Sequence, residues 1–257
     1  MRHLTLAVLF AVMLAAGPGW AAELAAHRAH YALQLEQGRG EMIAGTGSMD
    51  YEVTDACDAW AVRQRLQMQL TARDGTQTET TSDYTTLESK DGHTLRFRLR
   101  QTTDGETSAE VAGTASLSAE GGEVKYVQPE ASTTALPAGT LFPMAHTAAI
   151  LAAAQAGKKF IAVPLFDGTG TDGAQNSTVA IAGWGASPAS ASPALAALPS
   201  GRVRIAFFNR ADSGQEADYE VGMRYYANGV SEDLSMDFGE FVMAAKLKEL
   251  KLAKPGC

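Results

Sequence analysis

Cysteine is scarce in this chain of 257 residues, with only Cys57 and Cys257 present. Neither belongs to a Cys-x-x-Cys pair, so the dithiol arrangement of redox catalysis is missing. Cationic excess is lacking too. Lys plus Arg number 21 against 29 for Asp plus Glu, a formal charge of -8, and no basic block is there to neutralise phosphates, so no nucleic-acid partner is expected. Long apolar runs are few: the strongest candidate, Leu4 to Ala16, is shorter than the ~20 residues that span a bilayer, and no second one follows. Nucleophile signatures of the G-x-S-x-G and S-x-x-K types are absent, which disfavours the common serine hydrolases. Yet 46% of the residues are hydrophobic and only 19% charged, the balance of a chain that folds.

The first residues combine Arg2, the apolar run and a break at Gly17-Pro18-Gly19, the pattern of a secretory signal peptide. Cleavage after Ala21 places the small Gly19 at minus three, whereas cleavage after Ala22 would place Trp20 there. Residues 1–21 are therefore expected to be removed. The remaining chain, 22–257, is expected to be one soluble exported domain, with no transmembrane segment. In an exported protein an even cysteine count reads as a disulfide, here Cys57 with Cys257, with two free thiols as the alternative. Closing a loop of that length restricts the unfolded chain by roughly 5 kcal/mol on the chain-entropy model.

Apolar residues then recur with period two: Ala29, Tyr31, Leu33, Leu35; Ile43 to Val53; and Trp60, Val62, Leu66, Met68, Leu70, a set that Gln64 interrupts. Such alternation places them on one face of successive strands. Leu95, Phe97 and Leu99 alternate with Arg96, Arg98 and Arg100, so one side of that strand is cationic and must be solvated or paired. Asp74-Gly75, Asp91-Gly92, Asp104-Gly105, Gly121-Gly122, Asp167-Gly168 and Asn228-Gly229 separate the runs, and such dipeptides supply the positive φ of tight hairpins. The expectation is a long antiparallel meander, with later strands near 160–166, 178–184, 203–209, 217–226, 230–238 and 241–252. One segment differs: Pro143 to Ala156 is Ala-rich, opens on Pro and stops at Gly157, which predicts a helix. Residues 185–201, rich in Ala, Ser and Pro, are expected to form a mobile surface loop.

Chemistry is sparse. Gly168-x-Gly170-x-x-Gly173 matches a dinucleotide fingerprint, but a strand pattern follows where that site needs a helix, so a glycine-rich loop is the reading and no cofactor is expected. His27 and His30 would point to opposite faces of one strand and cannot share a metal. His146, one turn from Ile150, is either a base or a packed histidine. A sheet of this size can close imperfectly around a cavity, and Trp60, Met68, Phe97, Tyr126, Phe166 and Trp184 are candidates to line it, with core filling as the alternative for each.

Several segments, taken in order, carry a resemblance: AHRAHYALQL at 26–35, Cys57-Asp58-Ala59-Trp60, LFPMAHTAAILAAAQAG at 141–157, LFDGT at 165–169 and the terminal Cys257. Together they resemble the envelope integrity protein B (EipB) family of alphaproteobacterial periplasmic proteins. The resemblance implies a mainly β fold, a single large antiparallel β-spiral or incompletely closed barrel, with one helix against its concave side. It also implies a disulfide between Cys57 and Cys257 and a non-enzymatic role in envelope integrity. An apolar groove in such a protein would bind a lipid, a lipoprotein segment or a peptide. A protein–protein scaffold is the alternative, and a hydrolase of envelope polymers would need a Ser/His or His/acid cluster that the sequence does not display.

Overall fold

The computed structural model describes residues 24–187, 190, 192–210 and 216–254. The expected signal peptide at 1–21 and Cys257 lie outside these described residues. Fourteen strands follow one another: β1 (His27–Gly38), β2 (Met42–Asp55), β3 (Ala59–Ala72), β4 (Gln77–Ser89), β5 (Thr94–Thr103), β6 (Glu106–Ser118), β7 (Gly121–Gln128) and β8 (Ser132–Leu136), then β9 (Phe160–Leu165), β10 (Gln175–Gly185), β11 (Ser200–Phe208), β12 (Tyr219–Tyr226), β13 (Ser231–Asp237) and β14 (Phe241–Leu252). Between β8 and β9 lies the helix α1 (Pro143–Gln155). All strands join one antiparallel sheet in the order β8-β7-β6-β5-β4-β3-β2-β1-β14-β13-β12-β11-β10-β9. Two meanders, β1–β8 and β9–β14, thus meet where the first strand pairs with the last, His27 opposite Leu252 through Gly38 opposite Phe241.

The free edges are β8 and β9, and one isolated parallel bridge links the approach to α1 with β9. The Leu141 N–H donates to Pro164 O at 2.9 Å and the Phe166 N–H donates to Leu141 O at 3.0 Å. A single bridge leaves the sheet curled but not fully closed, as the expected incompletely closed barrel requires. Inside the curl α1 buries Met144, His146, Ile150, Leu151, Ala153 and Ala154. Its alanines carry little bulk, so the helix can lie close to the concave sheet face.

The strand period decides what faces inward. In β1, His27, Ala29, Tyr31 and Leu33 are buried while Arg28 and His30 are outside. The main core gathers Tyr31, Met49, Met68, Val179, Ile205 and Met243 against Ile150 of the helix. A second, smaller core lies under β5–β8, where Phe97 and Phe166 meet edge to face at 5.3 Å and 78°. Outside, the cationic side of β5 finds partners: in register across the sheet stand Asp50, Arg65, Asp83, Arg100 and Glu110, and Arg98 reaches Glu110 at 2.6 Å.

Most expected elements appear with small boundary shifts, and 241–252 is the strand that its alternating Leu247 and lysines suggested. Four strands were not legible. β4 (QTETTSDYTTLES) and β6 (ETSAEVAGTASLS) hold few large apolar side chains, and β7 and β8 are short. Their strand conformation comes from pairing with neighbours more than from an apolar pattern of their own. Asp104-Gly105 does form a two-residue hairpin with positive φ at both positions. Gly121-Gly122, by contrast, opens β7 rather than forming the turn. Asp167-Gly168 begins a loop over the small core, where a Cβ on Gly168 would meet the Phe97 ring at 2.4 Å. In the stretch expected as a surface loop, Leu195 is fully buried against Tyr226 and Val230.

Tight curvature needs small residues inside β2. A Cβ on Gly45 would press Leu70 and Met243, and a Cβ on Gly47 would stand 2.1 Å from the Gln67 carbonyl oxygen. That oxygen belongs to the backbone of β3 and cannot yield without opening the β2–β3 ladder. Gly47→Ala is therefore expected to cost about 2–4 kcal/mol and lower the melting temperature by roughly 4–15 °C in a calorimetric scan.

Candidate functional site

Beside the N-terminal part of α1 a cavity of about 190 Å³ opens between the helix, β1–β3 and β12–β13. Met144 and Thr147 of the helix form one wall, Tyr31, Met49 and Tyr51 a second, and Val221, Met223 and Tyr225 a third. The alternation of each strand delivers these side chains inward. Apolar and aromatic surface dominates, the usual character of a small-molecule site. No Lys, Arg, Asp or Glu lines it. From its Tyr219 wall a row of rings runs on: Phe207 stacks on Tyr219 at 5.8 Å, Tyr219 meets Phe238 at 5.2 Å, and Phe238 stacks on Phe241 at 4.9 Å.

Several polar groups at the wall are already engaged. The Tyr31 hydroxyl donates to Ser231 O at 2.8 Å, and burial pushes its pKa up to about 12. His27 Nδ1 lies 2.7 Å from Ala25 O, and desolvation lowers the ring's pKa, so the imidazole is neutral near pH 7. His30, on the opposite face of the strand, sits 2.7 Å from Asp50 outside, so the two histidines are separated as the strand period requires.

The residues proposed from sequence to line a groove are dispersed. Met68 is buried in the main core, and Trp184 packs against that core from its margin. Phe97, Tyr126 and Phe166 form a mutual edge-to-face cluster in the smaller core. Trp60 lies in a neighbouring depression of about 520 Å³, shared with Asp55, Glu88, Lys90 and Met144. There Lys90 Nζ stands 4.6 Å over the indole and 2.5 Å from Asp55. The cavity's own tyrosines and methionines were visible as inward-facing positions but carried no signal that separated lining from filling.

Two buried polar arrangements hold α1 in place. Phe142 at the helix N-cap offers no side-chain acceptor and the first turn has no acid. Glu88 of β4 supplies the cap from a distance: Oε2 accepts the Met144 N–H at 2.7 Å and Oε1 the Ala145 N–H at 2.8 Å. A carboxylate at this end also meets the positive end of the helix dipole. His146 Nε2 lies 2.9 Å from Ser177 Oγ of β10, with both residues buried. This Ser–His contact has no carboxylate partner for the imidazole among the described residues, so it lacks the third group of a catalytic triad.

The architecture and its segments match a known family model, described as EipB-like, over residues 18–254. The chain belongs to the EipB-like family. A curated relative, the cell envelope integrity protein EipB of Brucella abortus (strain 2308), is 32% identical over 253 residues, covering 94% of this chain and 89% of the relative. Among solved structures, a beta-barrel-like protein of a domain of unknown function from Brucella abortus superposes with a TM-score of 0.84 at 29% identity, over 90% of this chain and 99% of that one. The EipB-like fold is thus a mainly β, incompletely closed antiparallel sheet with one helix. Among the described residues no helix is long and apolar enough to cross a membrane.

Burial sets opposite pH dependences on the two groups that seat the helix. Desolvation raises the Glu88 pKa from 4.5 to about 7, against the two N–H bonds that pull it down. The folded protein then holds a proton that the unfolded chain releases, so this contribution is full below pH 4.5 and fades as pH rises through about 7. Desolvation lowers the His146 pKa from 6.5 to about 4, so its contribution is present above pH 6.5 and is lost as pH falls toward 4. The melting-temperature gap between parent and Glu88→Gln should accordingly shrink between pH 4.5 and 7, by an amount worth roughly 3 kcal/mol at most. His146→Gln should lose less melting temperature than the parent between pH 6.5 and 4, as followed by circular dichroism.

Proposed function

We propose that this protein is a periplasmic, non-enzymatic factor of cell-envelope integrity that holds an apolar ligand in the cavity between α1 and the concave sheet face. The observation that carries the reading is the cavity itself: an uncharged, Tyr- and Met-lined space left open beside an otherwise filled core. Family membership supports the envelope role, since the relative from Brucella abortus is named for it. The leader pattern ahead of Ala21 supports export. A lipid chain, an acylated lipoprotein segment or an apolar peptide side chain has the chemistry for the space. The ring row from Tyr219 to Phe241 gives a longer chain a continuation.

The reading includes a Cys57–Cys257 clasp. Its support lies in the register: Leu252 stands opposite His27 and His27 opposite Val53, so the chain's last strand ends beside the end of β2. The Ala253 N–H still bonds Ala26 O at 2.8 Å. No free cysteine occurs among the described residues.

A partner protein is the second reading, favoured by the free edge of β9, where Phe160 is 71% exposed. An open strand edge beside an exposed ring is suited to strand addition.

Two measurements test the proposal. N-phenyl-1-naphthylamine should brighten on binding the parent, and Val221→Trp, which fills the cavity, should weaken that binding by about tenfold or more. A parent that does not bind the probe, or a variant that binds it equally, defeats the cavity reading. Cys57→Ser should lower the melting temperature by roughly 5–15 °C, matching reduced parent; equal melting of variant and oxidised parent contradicts the clasp.

A further inference from the structure

Within β3 the inward positions run Trp60, Val62, Gln64, Leu66, Met68 and Leu70, and Gln64 alone among them carries hydrogen-bonding groups at the end of a non-aromatic side chain. Register places it opposite Tyr51 on one side and Tyr84 on the other. The Tyr84 hydroxyl is taken, donating to Asp167 O. Gln64 and Tyr51 both line the cavity, and neither side chain hydrogen-bonds to any described residue. Tyr219 likewise has no such bond, but its ring belongs to the stacked row. A glutamine amide offers one acceptor and two donors, and a phenol offers one of each. Among the described residues the fully buried side-chain polar atom without a partner is Thr86 Oγ1, so the polar ends of Gln64 and Tyr51 are accessible within the cavity; an occupant that displaces water from this adjacent pair must supply its partners.

The charge of that occupant follows from the rest of the wall. No ionisable side chain other than His27 and the tyrosines lines the space, and His27 is buried with Nδ1 engaged by Ala25 O. An ionised headgroup would lose its water and find no counter-charge there. Size sets a further bound. At about 190 Å³ the cavity only modestly exceeds the roughly 150 Å³ known to admit a benzene ring. It takes a short chain or a single ring, and more carbon must continue along the ring row.

We propose that Gln64 and Tyr51 are the polar recognition pair of the cavity and that its occupant is an uncharged amphiphile, an apolar chain bearing one hydroxyl or carbonyl oxygen at the end that meets them. This rests on the reading that the cavity binds an apolar ligand, and it names that ligand's class.

The test uses the full mature protein loaded with N-phenyl-1-naphthylamine and titrated with three compounds of equal chain length: octan-1-ol, octanoate and octyltrimethylammonium. Octanol should displace the probe at a concentration about tenfold lower than either ion. Gln64→Leu and Tyr51→Phe should each weaken octanol binding about threefold or more once displacement is corrected for each variant's own affinity for the probe. Gln64→Leu should also melt no lower than the parent, because it replaces an unpartnered amide by an apolar group of similar size. If the leucine variant does not fold, Tyr51→Phe, which removes a single oxygen, decides the matter alone. Displacement by either ion at octanol's concentration, or unchanged displacement by octanol in the variants that fold, overturns the inference and leaves the cavity reading standing. Failure of the parent to bind the probe at all removes that reading and this inference with it.

Discussion

Pairing of β1 with β14 is the contact on which the remaining structure depends. It joins two meanders edge to edge, and the bridge at Leu141, the seating of α1 and the shared core add to that link. The partners lie at opposite ends of the chain, so this ladder closes the longest loop in the molecule, and its entropy cost must be met before any concave face exists. Tyr31 shows how the seam is fastened from inside. Its ring fills the main core from β1, and its hydroxyl reaches Ser231 at the start of β13. The proposed Cys57–Cys257 clasp would act on the same seam, where restricting the unfolded chain has the largest effect.

Once the seam forms, curvature determines what the helix can do. The sheet wraps far enough to face itself, so α1 is surrounded on several sides and needs anchors that do not come from its own sequence. Glu88 and Ser177 provide them from β4 and β10, one strand from each meander. The helix therefore ties the two halves together a second time, through one carboxylate and one hydroxyl. Both anchors are buried and one involves a group titrating near neutrality, so the seating of the helix responds to pH in a way that the apolar contacts around it do not.

The cavity follows from that same geometry and lies beside the first two turns of α1, at Met144 and Thr147. Its wall draws on both meanders, with Tyr31 and Tyr51 from one and Val221 and Tyr225 from the other. The space exists only in the joined structure. The outer face has a different logic: charges of alternating sign across β2–β6 keep a wide, two-sided sheet hydrated on its convex surface. Fold likeness to the beta-barrel-like protein of Brucella abortus extends over nearly that whole chain.

Local features were legible in the residues alone: the strand period in β1, β2, β3 and β5, the helix opened by Pro143, the Asp104-Gly105 hairpin and the opposed faces of His27 and His30. These are set by interactions within a few residues. Even Gln64 stood out as a break in its alternation, though nothing local said what faced it. Strands β4 and β6 to β8 were hidden because their conformation is imposed by neighbours, not by their own side chains. Only the tertiary structure decided which inward residues fill space and which border it. Phe97 and Phe166, candidates for lining or for core, pack edge to face in the smaller core. Tyr51 and Gln64 stand side by side at the cavity because strand register across β2 and β3 pairs them, and no short stretch of chain sets that pairing.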